Sequence, residues 1–281
     1  MGYERISVRS VSGAIGAVIR DVDLVALNNA TFAEIHHAFL EHLVLFFRDQ
    51  NITPAQQIAF SRRFGEIGYY PFVEGLAAYP EIVEVRKEPE ESENFGGVWH
   101  SDTTYLATPP LGAVLYAREL PPGGGDTLWS NMYLAHDALS DGMKSLLAGL
   151  RGVNSSKKGA AAAGRQARRD EAPMDTPDDY YEAVHPVVRA HPETGRKALY
   201  VNAGHTTRFE GMTAAESEPT LKFLLAHLIR PEFTCRFQWA AGSLAVWDNR
   251  CAQHYAINDY HGHRRVMHRI TIQGDAPDGA P

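Results

Sequence analysis

Cysteine is nearly absent from this chain: Cys235 and Cys251 are the only two. That is too few for a disulfide framework or a cysteine-rich zinc site, and both are expected to be ordinary buried thiols. Positive charge is not in excess either. With 27 Lys and Arg against 34 Asp and Glu, the formal net charge is -7, so nothing broadly attracts nucleic acid or an anionic membrane and any anion site must be local. No apolar run approaches the roughly 20 residues that a membrane-spanning helix needs. The opening Met1-Gly2-Tyr3-Glu4-Arg5 lacks the cationic and apolar regions of a secretory signal, which makes a cytoplasmic location the expectation. A nucleotide phosphate loop is missing too, because the glycines of Pro121-Pro122-Gly123-Gly124-Gly125-Asp126-Thr127 are followed by neither the lysine nor the helix such loops require. What these absences leave is small-molecule chemistry.

The 281 residues, 44% hydrophobic and 22% charged, suit one large core, so a single domain over 1–281 is expected. Paired strands are predicted within 8–23, a helix opening at Thr31, and a buried strand over 43–47. Thr53-Pro54-Ala55-Gln56 and Thr213-Ala214-Ala215-Glu216 are capping boxes that each start a helix. Further strands are predicted over 81–85, 111–117, 183–190, 197–202, 233–239, 244–247 and 266–272, with short helical patterns over 134–150. Many short strands separated by turns favour a mainly β jelly roll with flanking helices over a parallel sheet. The small, basic, glycine-punctuated tract 153–175 reads as a mobile loop or lid.

The chemistry centres on Trp99-His100-Ser101-Asp102-Thr103 and on Trp247-Asp248-Asn249-Arg250-Cys251-Ala252-Gln253-His254. In extended backbone, His100 and Asp102 point the same way. With His254 they would make a two-histidine, one-carboxylate triad, which holds one face of an octahedral iron and leaves the other open. With thirteen histidines, about one His-x-Asp is expected by chance, so context must supply the specificity. His191-Pro192-Glu193 is a decoy, since Thr194-Gly195 follows it as a turn. Downstream, Arg265, Met267 and Arg269 share one strand face, which could line a barrel interior with two guanidiniums and so imply bound anions; the alternative is a solvated strand with surface arginines. The aromatic stretch around Tyr69, Tyr70 and Phe72 is either core or pocket wall.

Over 8–275 the chain resembles the taurine dioxygenase family of Fe(II)- and 2-oxoglutarate-dependent dioxygenases, which includes alkylsulfatases and aryloxyalkanoate dioxygenases. The likeness is carried by 99–103, Gly124-Gly125-Asp126-Thr127-Leu128-Trp129, His185-Pro186-Val187-Val188, 247–250 with Gln253-His254-Tyr255, and the Arg265/Arg269 pair. It implies a double-stranded β-helix, with His100, Asp102 and His254 on iron and Thr127 and Arg265 on the distal carboxylate of 2-oxoglutarate. It also implies Arg269 on the substrate's acidic group, Trp247 beside the metal, and O2 as the other cosubstrate, with succinate and CO2 as co-products.

Where taurine-using members have a histidine, a tyrosine and an asparagine, this chain has Tyr70, Val73 and Gly96; Tyr105 and His205 fall on the substrate side in the same comparison or serve as core residues. The expected substrate is therefore a small anionic organic molecule (sulfonate, sulfate ester or carboxylate), hydroxylated next to a heteroatom so that the product fragments. Taurine itself, a zinc hydrolase or isomerase on the same ligands, and a non-enzymatic anion-binding barrel are the alternatives. Relatives are often homo-oligomers, so self-association is a further expectation, although no stripe in the sequence marks an interface.

Overall fold

The computed structural model describes residues 2–158 and 180–279. Two layers of antiparallel strands face each other, as expected for a jelly roll. The larger sheet runs in the order Ser7–Ser10, Ala17–Arg20, Val44–Phe47, Leu244–Asp248, Gly112–Glu119, Arg265–Ile272 and Ile67–Gly68, with Val83–Lys87 also paired to Arg265–Ile272. One neighbour pair, Ala17–Arg20 with Val44–Phe47, is parallel. Opposite lie the three-stranded sheet of Thr234–Phe237, Thr127–Asn131 and Ala252–Ala256 and that of Thr206–Phe209, Arg151–Ser155 and Glu182–Pro186. Phe46, Trp129, Phe237, Trp247 and Met267 fill the space between the layers. Phe46 stacks on Phe237 at 4.0 Å and meets Trp129 edge-on at 5.1 Å, geometries that add to the burial energy of the rings.

The outer face of the large sheet is covered by helices Asn29–His42 and Pro54–Ser61, whose Ile35, Phe39 and Phe60 pack on Leu45, Phe47 and Val246. Val44–Phe47 is thus buried on both faces, which explains its unbroken apolar run. Both capping boxes form: Thr53 with Gln56, and Thr213 with Glu216 at the start of helix Ala214–His227. The first helix begins earlier than Thr31, because Asn28 accepts the Thr31 N–H and caps it.

Other boundaries shift for identifiable reasons. The strand expected over 81–85 is Val83–Lys87, set by its register against Arg265–Ile272. The one expected over 233–239 begins as a 3-10 turn at Pro231–Phe233, and only Thr234–Phe237 pairs. The 153–175 tract is not a loop from its start, since Arg151–Ser155 is a paired strand; the rest of it beyond residue 158 lies outside the described residues. Cys235 and Cys251 are both buried free thiols. Among the described residues no helix is long and apolar enough to cross a membrane.

Candidate active site

His100 and His254 are joined by a two-way backbone bridge: His100 N–H donates to His254 O at 3.1 Å and His254 N–H to His100 O at 2.9 Å. In a hydrogen-bonded antiparallel pair the two side chains project to the same face, and the imidazole centroids are 4.2 Å apart. Asp102 joins them by another route than regular strand alternation. The bridge ends at His100, and the chain enters a turn in which Thr103 has φ 39°. This turn swings Asp102 Oδ1 to 3.7 Å from Nε2 of each histidine.

All three side chains are buried, and their ligand atoms lie within 4.8 Å of one another. His100 Nδ1 is 2.6 Å from Val98 O; donating its proton there leaves Nε2 with its lone pair toward the centre. Burial, with lesser contributions from His100 and Arg269, holds the His254 pKa well below the usual imidazole range against the pull of Asp102, which favours the form of this ring that can ligate. Burial alone would raise the Asp102 pKa, but Arg269, His254, His100 and a hydrogen bond from Asn249 outweigh it and hold the carboxyl well below its ordinary value. Two imidazole nitrogens and one carboxylate converging on a point fit a divalent metal such as iron(II).

Of the two readings of the Arg265–Ile272 strand, the inward one holds. Arg265 and Arg269 are 5% and 6% exposed, and the Nε and Nη2 of each have no hydrogen-bond partner among the described residues. Burial lowers the Arg265 pKa, and the opposing pulls of Tyr260 and Asp126 do not make up for it. Leaving such a group uncompensated costs several kcal/mol, on the order of 3–5, and a bidentate carboxylate would relieve it. Arg265 shares its cavity with Thr127, whose Oγ1 accepts the Trp239 indole N–H at 3.0 Å, so the hydroxyl proton is free to donate to an anion. Arg269 Nη2 approaches Asp102 Oδ2 to 2.7 Å, a contact with the charge pairing of an ion pair but not the angles of a hydrogen bond. His100, His254, Thr127, Trp247, Arg265 and Arg269 all face this one cavity, with Gly96, Phe95 and Val85 at its side.

Gly96 earns its place by conformation: its φ is 85°, and a Cβ there would sit 3.4 Å from His100 Cε1. The remaining wall residues are less uniform. Tyr70 and Val73 line a neighbouring cleft with Val83, and the Arg269 guanidinium lies 6.0 Å from the Tyr70 ring centre. Tyr105 is fully buried in an aromatic cluster with Phe72 and Tyr181. His205, 4.8 Å from Tyr105 in edge-to-face contact, hydrogen-bonds Thr104 through Nδ1 at 3.1 Å. Neither is among the residues lining the cavity of Thr127 and Arg265, and the His205 ring meets that of His100 edge-on at 6.1 Å.

The decoy resolves into scaffolding. His191 Nε2 donates to Asp248 Oδ2 at 3.0 Å, while its Nδ1 accepts the N–H groups of Glu193 and Thr194. Arg250 grips the same carboxylate through Nε at 2.8 Å and Nη2 at 2.7 Å. His191, Asp248 and Cys251 lie close enough to hold an ion, yet the carboxylate is already paired with a guanidinium and both imidazole nitrogens are used. Their network pins the strand exit that leads to His254.

Two further residues carry no role in the sequence reading. Lys87 is 2% exposed, its Nζ is without a hydrogen-bond partner among the described residues and sits 4.4 Å over the Tyr260 ring, and its Cα is paired with that of Arg265. Asn249 donates from Nδ2 to Asp102 Oδ2 at 2.8 Å. A lysine in an otherwise alternating strand is the one visible signal of the first; the second is a member of 247–250 whose partner lies 147 positions away.

Residues 7–271 match a family described as "Taurine catabolism dioxygenase TauD, TfdA family". The chain is 34% identical to an alkylsulfatase of Acinetobacter baylyi, over 99% of this chain and 88% of that protein. It is 31% identical to an (S)-phenoxypropionate/alpha-ketoglutarate-dioxygenase of Sphingobium herbicidovorans, over 95% of each. Among solved structures, a taurine dioxygenase from Burkholderia xenovorans superposes with a TM-score of 0.83 at 36% identity, covering 98% of this chain and 93% of that one.

Proposed function

The chain belongs to the TauD/TfdA family, and on that premise we propose that it hydroxylates a small organic anion bound between Arg269 and the metal-ligand triad. As a member of this family it is an Fe(II)- and 2-oxoglutarate-dependent dioxygenase, not a hydrolase or a passive binding barrel. The observation that carries the substrate reading is the pair of buried guanidiniums, the Nε of each without a hydrogen-bond partner among the described residues, on the same strand face beside His100, Asp102 and His254.

In this reading His100, Asp102 and His254 hold the iron. When bound, iron(II) with 2-oxoglutarate and O2 supplies the oxidising chemistry that yields succinate, CO2 and a hydroxylated product. Arg265 and the Thr127 hydroxyl bind the distal carboxylate of 2-oxoglutarate and set the position of its other end. Arg269 anchors the acidic head of the substrate, and Trp247, packed 4.8 Å from His254, limits where the body can lie. Gly96 leaves space beside His100 that a larger side chain would occupy. Tyr70 and Val73 present a ring and an aliphatic surface where taurine-using relatives offer polar groups, which suits a less polar or larger body than taurine. Tyr105 and His205 support that wall from behind.

The relatives' names span sulfate esters and aryloxyalkanoates. In both classes hydroxylation of the carbon next to oxygen gives a product that splits, a sulfate ester into a carbonyl compound and sulfate, an aryloxyalkanoate into an oxo acid and a phenol. Oxygen uptake and succinate formation should be measured with a panel of alkyl sulfates, aryloxy acids, short sulfonates and taurine. Stimulation by one of the first two classes is expected; turnover of taurine alone would overturn the substrate assignment.

A further inference from the structure

The carboxylate of Asp102 has two oxygens with different surroundings. Oδ1 is the one equidistant from the two imidazoles, at 3.7 Å from each Nε2. Oδ2 is turned away and engaged by Asn249 Nδ2 at 2.8 Å and by the Arg269 guanidinium at 2.7 Å. Asn249 is itself held from the other side. Its Oδ1 accepts the Trp247 indole N–H at 3.0 Å and the Asp102 backbone N–H at 3.3 Å. Two N–H donors on one atom identify it as the oxygen, so the amide group can face Asp102 only with its nitrogen. Asn249 is 1% exposed, and its own N–H donates to Leu111 O at 2.8 Å, so neither the backbone nor the amide has freedom to turn.

We propose that Asn249 is a positioning residue that makes Asp102 a one-oxygen metal ligand. The inference rests on the metal-site reading given above. A free carboxylate next to a divalent cation can close onto it with both oxygens, which would use a coordination position that 2-oxoglutarate or O2 needs. A charge-neutral donor on Oδ2 prevents that closure without removing the negative charge from the ligand. Arg269 alone would serve this purpose poorly, because its guanidinium also faces the cavity and is drawn on by a substrate anion, whereas Asn249 is committed on both its atoms. The Trp247 indole thus has two tasks: its ring packs against His254 and its N–H locks the amide that orients Asp102.

The test uses the full chain loaded with Co(II), whose visible absorption reports coordination number. Metal affinity is measured by competition with a chelating indicator for the wild type, Asn249→Ala, Asn249→Asp and, as a control, His100→Ala. Asn249→Asp fills the same space and keeps both acceptor contacts, so it gives the same reading should Asn249→Ala fail to fold. Both Asn249 variants are expected to show a Co(II) spectrum shifted toward higher coordination number, the sign of a second Asp102 oxygen on the metal, and a Co(II) affinity that differs from the wild type by about 10- to 100-fold, the usual scale for losing a partner that orients a ligand. A folded variant with wild-type affinity and spectrum would overturn the proposal. So would loss of folding in both variants, which would make Asn249 a packing residue. If the wild type itself bound Co(II) no better than His100→Ala, the metal-site reading would fail, and the Asn249 role with it.

Discussion

Replacing Asp248 with asparagine tests how the strand leading to His254 is held. The carboxylate is 1% exposed and lies between the Arg250 guanidinium, at 2.7 and 2.8 Å, and the His191 imidazole at 3.0 Å. Asparagine keeps the shape and one acceptor oxygen but removes the charge. Breaking one side of a buried pair costs about 3–5 kcal/mol because the partner is left uncompensated. Arg250 keeps a second contact, to Glu193 at 2.8 Å, so the low end, about 3 kcal/mol, is expected. For a chain of this length each kcal/mol corresponds to roughly 2 °C in Tm, giving a drop of about 6 °C by circular dichroism at pH 7.

The pH dependence gives the sharper criterion. Burial would raise the Asp248 pKa, but Arg250 and His191 more than offset it and hold the folded value well below the ordinary one. A depressed carboxyl stabilises the fold above its unfolded pKa, about 4, and that contribution is lost as pH falls toward the folded value. The Tm gap between wild type and Asp248→Asn should therefore be full at pH 7 and narrow progressively below about pH 4. A gap under about 2 °C at neutral pH, or one that does not narrow in acid, would refute the reasoning.

Further outcomes follow from the cavity and the core. Arg265→Met should weaken 2-oxoglutarate binding at least about 30-fold, from the roughly 2–5 kcal/mol lost when one partner of a buried charge pair is truncated; titration of the cosubstrate checks it. Gly96→Ala places a methyl near His100 at a left-handed backbone position, costing about 1–2 kcal/mol, and should lower kcat/KM for the bulkier members of a substrate panel more than for the small ones. Burial pushes the Cys235 thiol up to about 12 and Cys251 also well above its usual value. Neither should react with a disulfide reagent at pH 8 in the native protein, and both should react on unfolding.

The parts of this molecule that follow local rules were legible in the sequence. Thr53 and Thr213 each satisfy their own helix start within four residues, so composition and spacing sufficed. Arg265, Met267 and Arg269 share a face because strand alternation has a period of two. Asp102 was placed correctly for an incomplete reason: its direction comes from the turn at Thr103, not from continued strand. Residues whose partners are distant were invisible. Nothing near Asn249 points to Asp102, and nothing near His191 points to Asp248, so one looked like a bystander and the other like a stray ligand. Lys87 is a case of the same kind, being remarkable only once its strand is seen to lie against Arg265. Strand boundaries at 81–85 and 233–239 slipped because register is decided by the neighbour strand and not by the segment itself.

The central claim is that His100, Asp102 and His254 form one metal site into which Arg265 delivers 2-oxoglutarate. Anaerobic titration of the protein with Fe(II) and then 2-oxoglutarate, followed by visible absorption, tests it most directly. The account predicts a charge-transfer band that saturates at one equivalent of iron, is lost in His254→Ala, and in Arg265→Met appears only at much higher 2-oxoglutarate. A band that survives removal of His254, or none in the wild type, would contradict it.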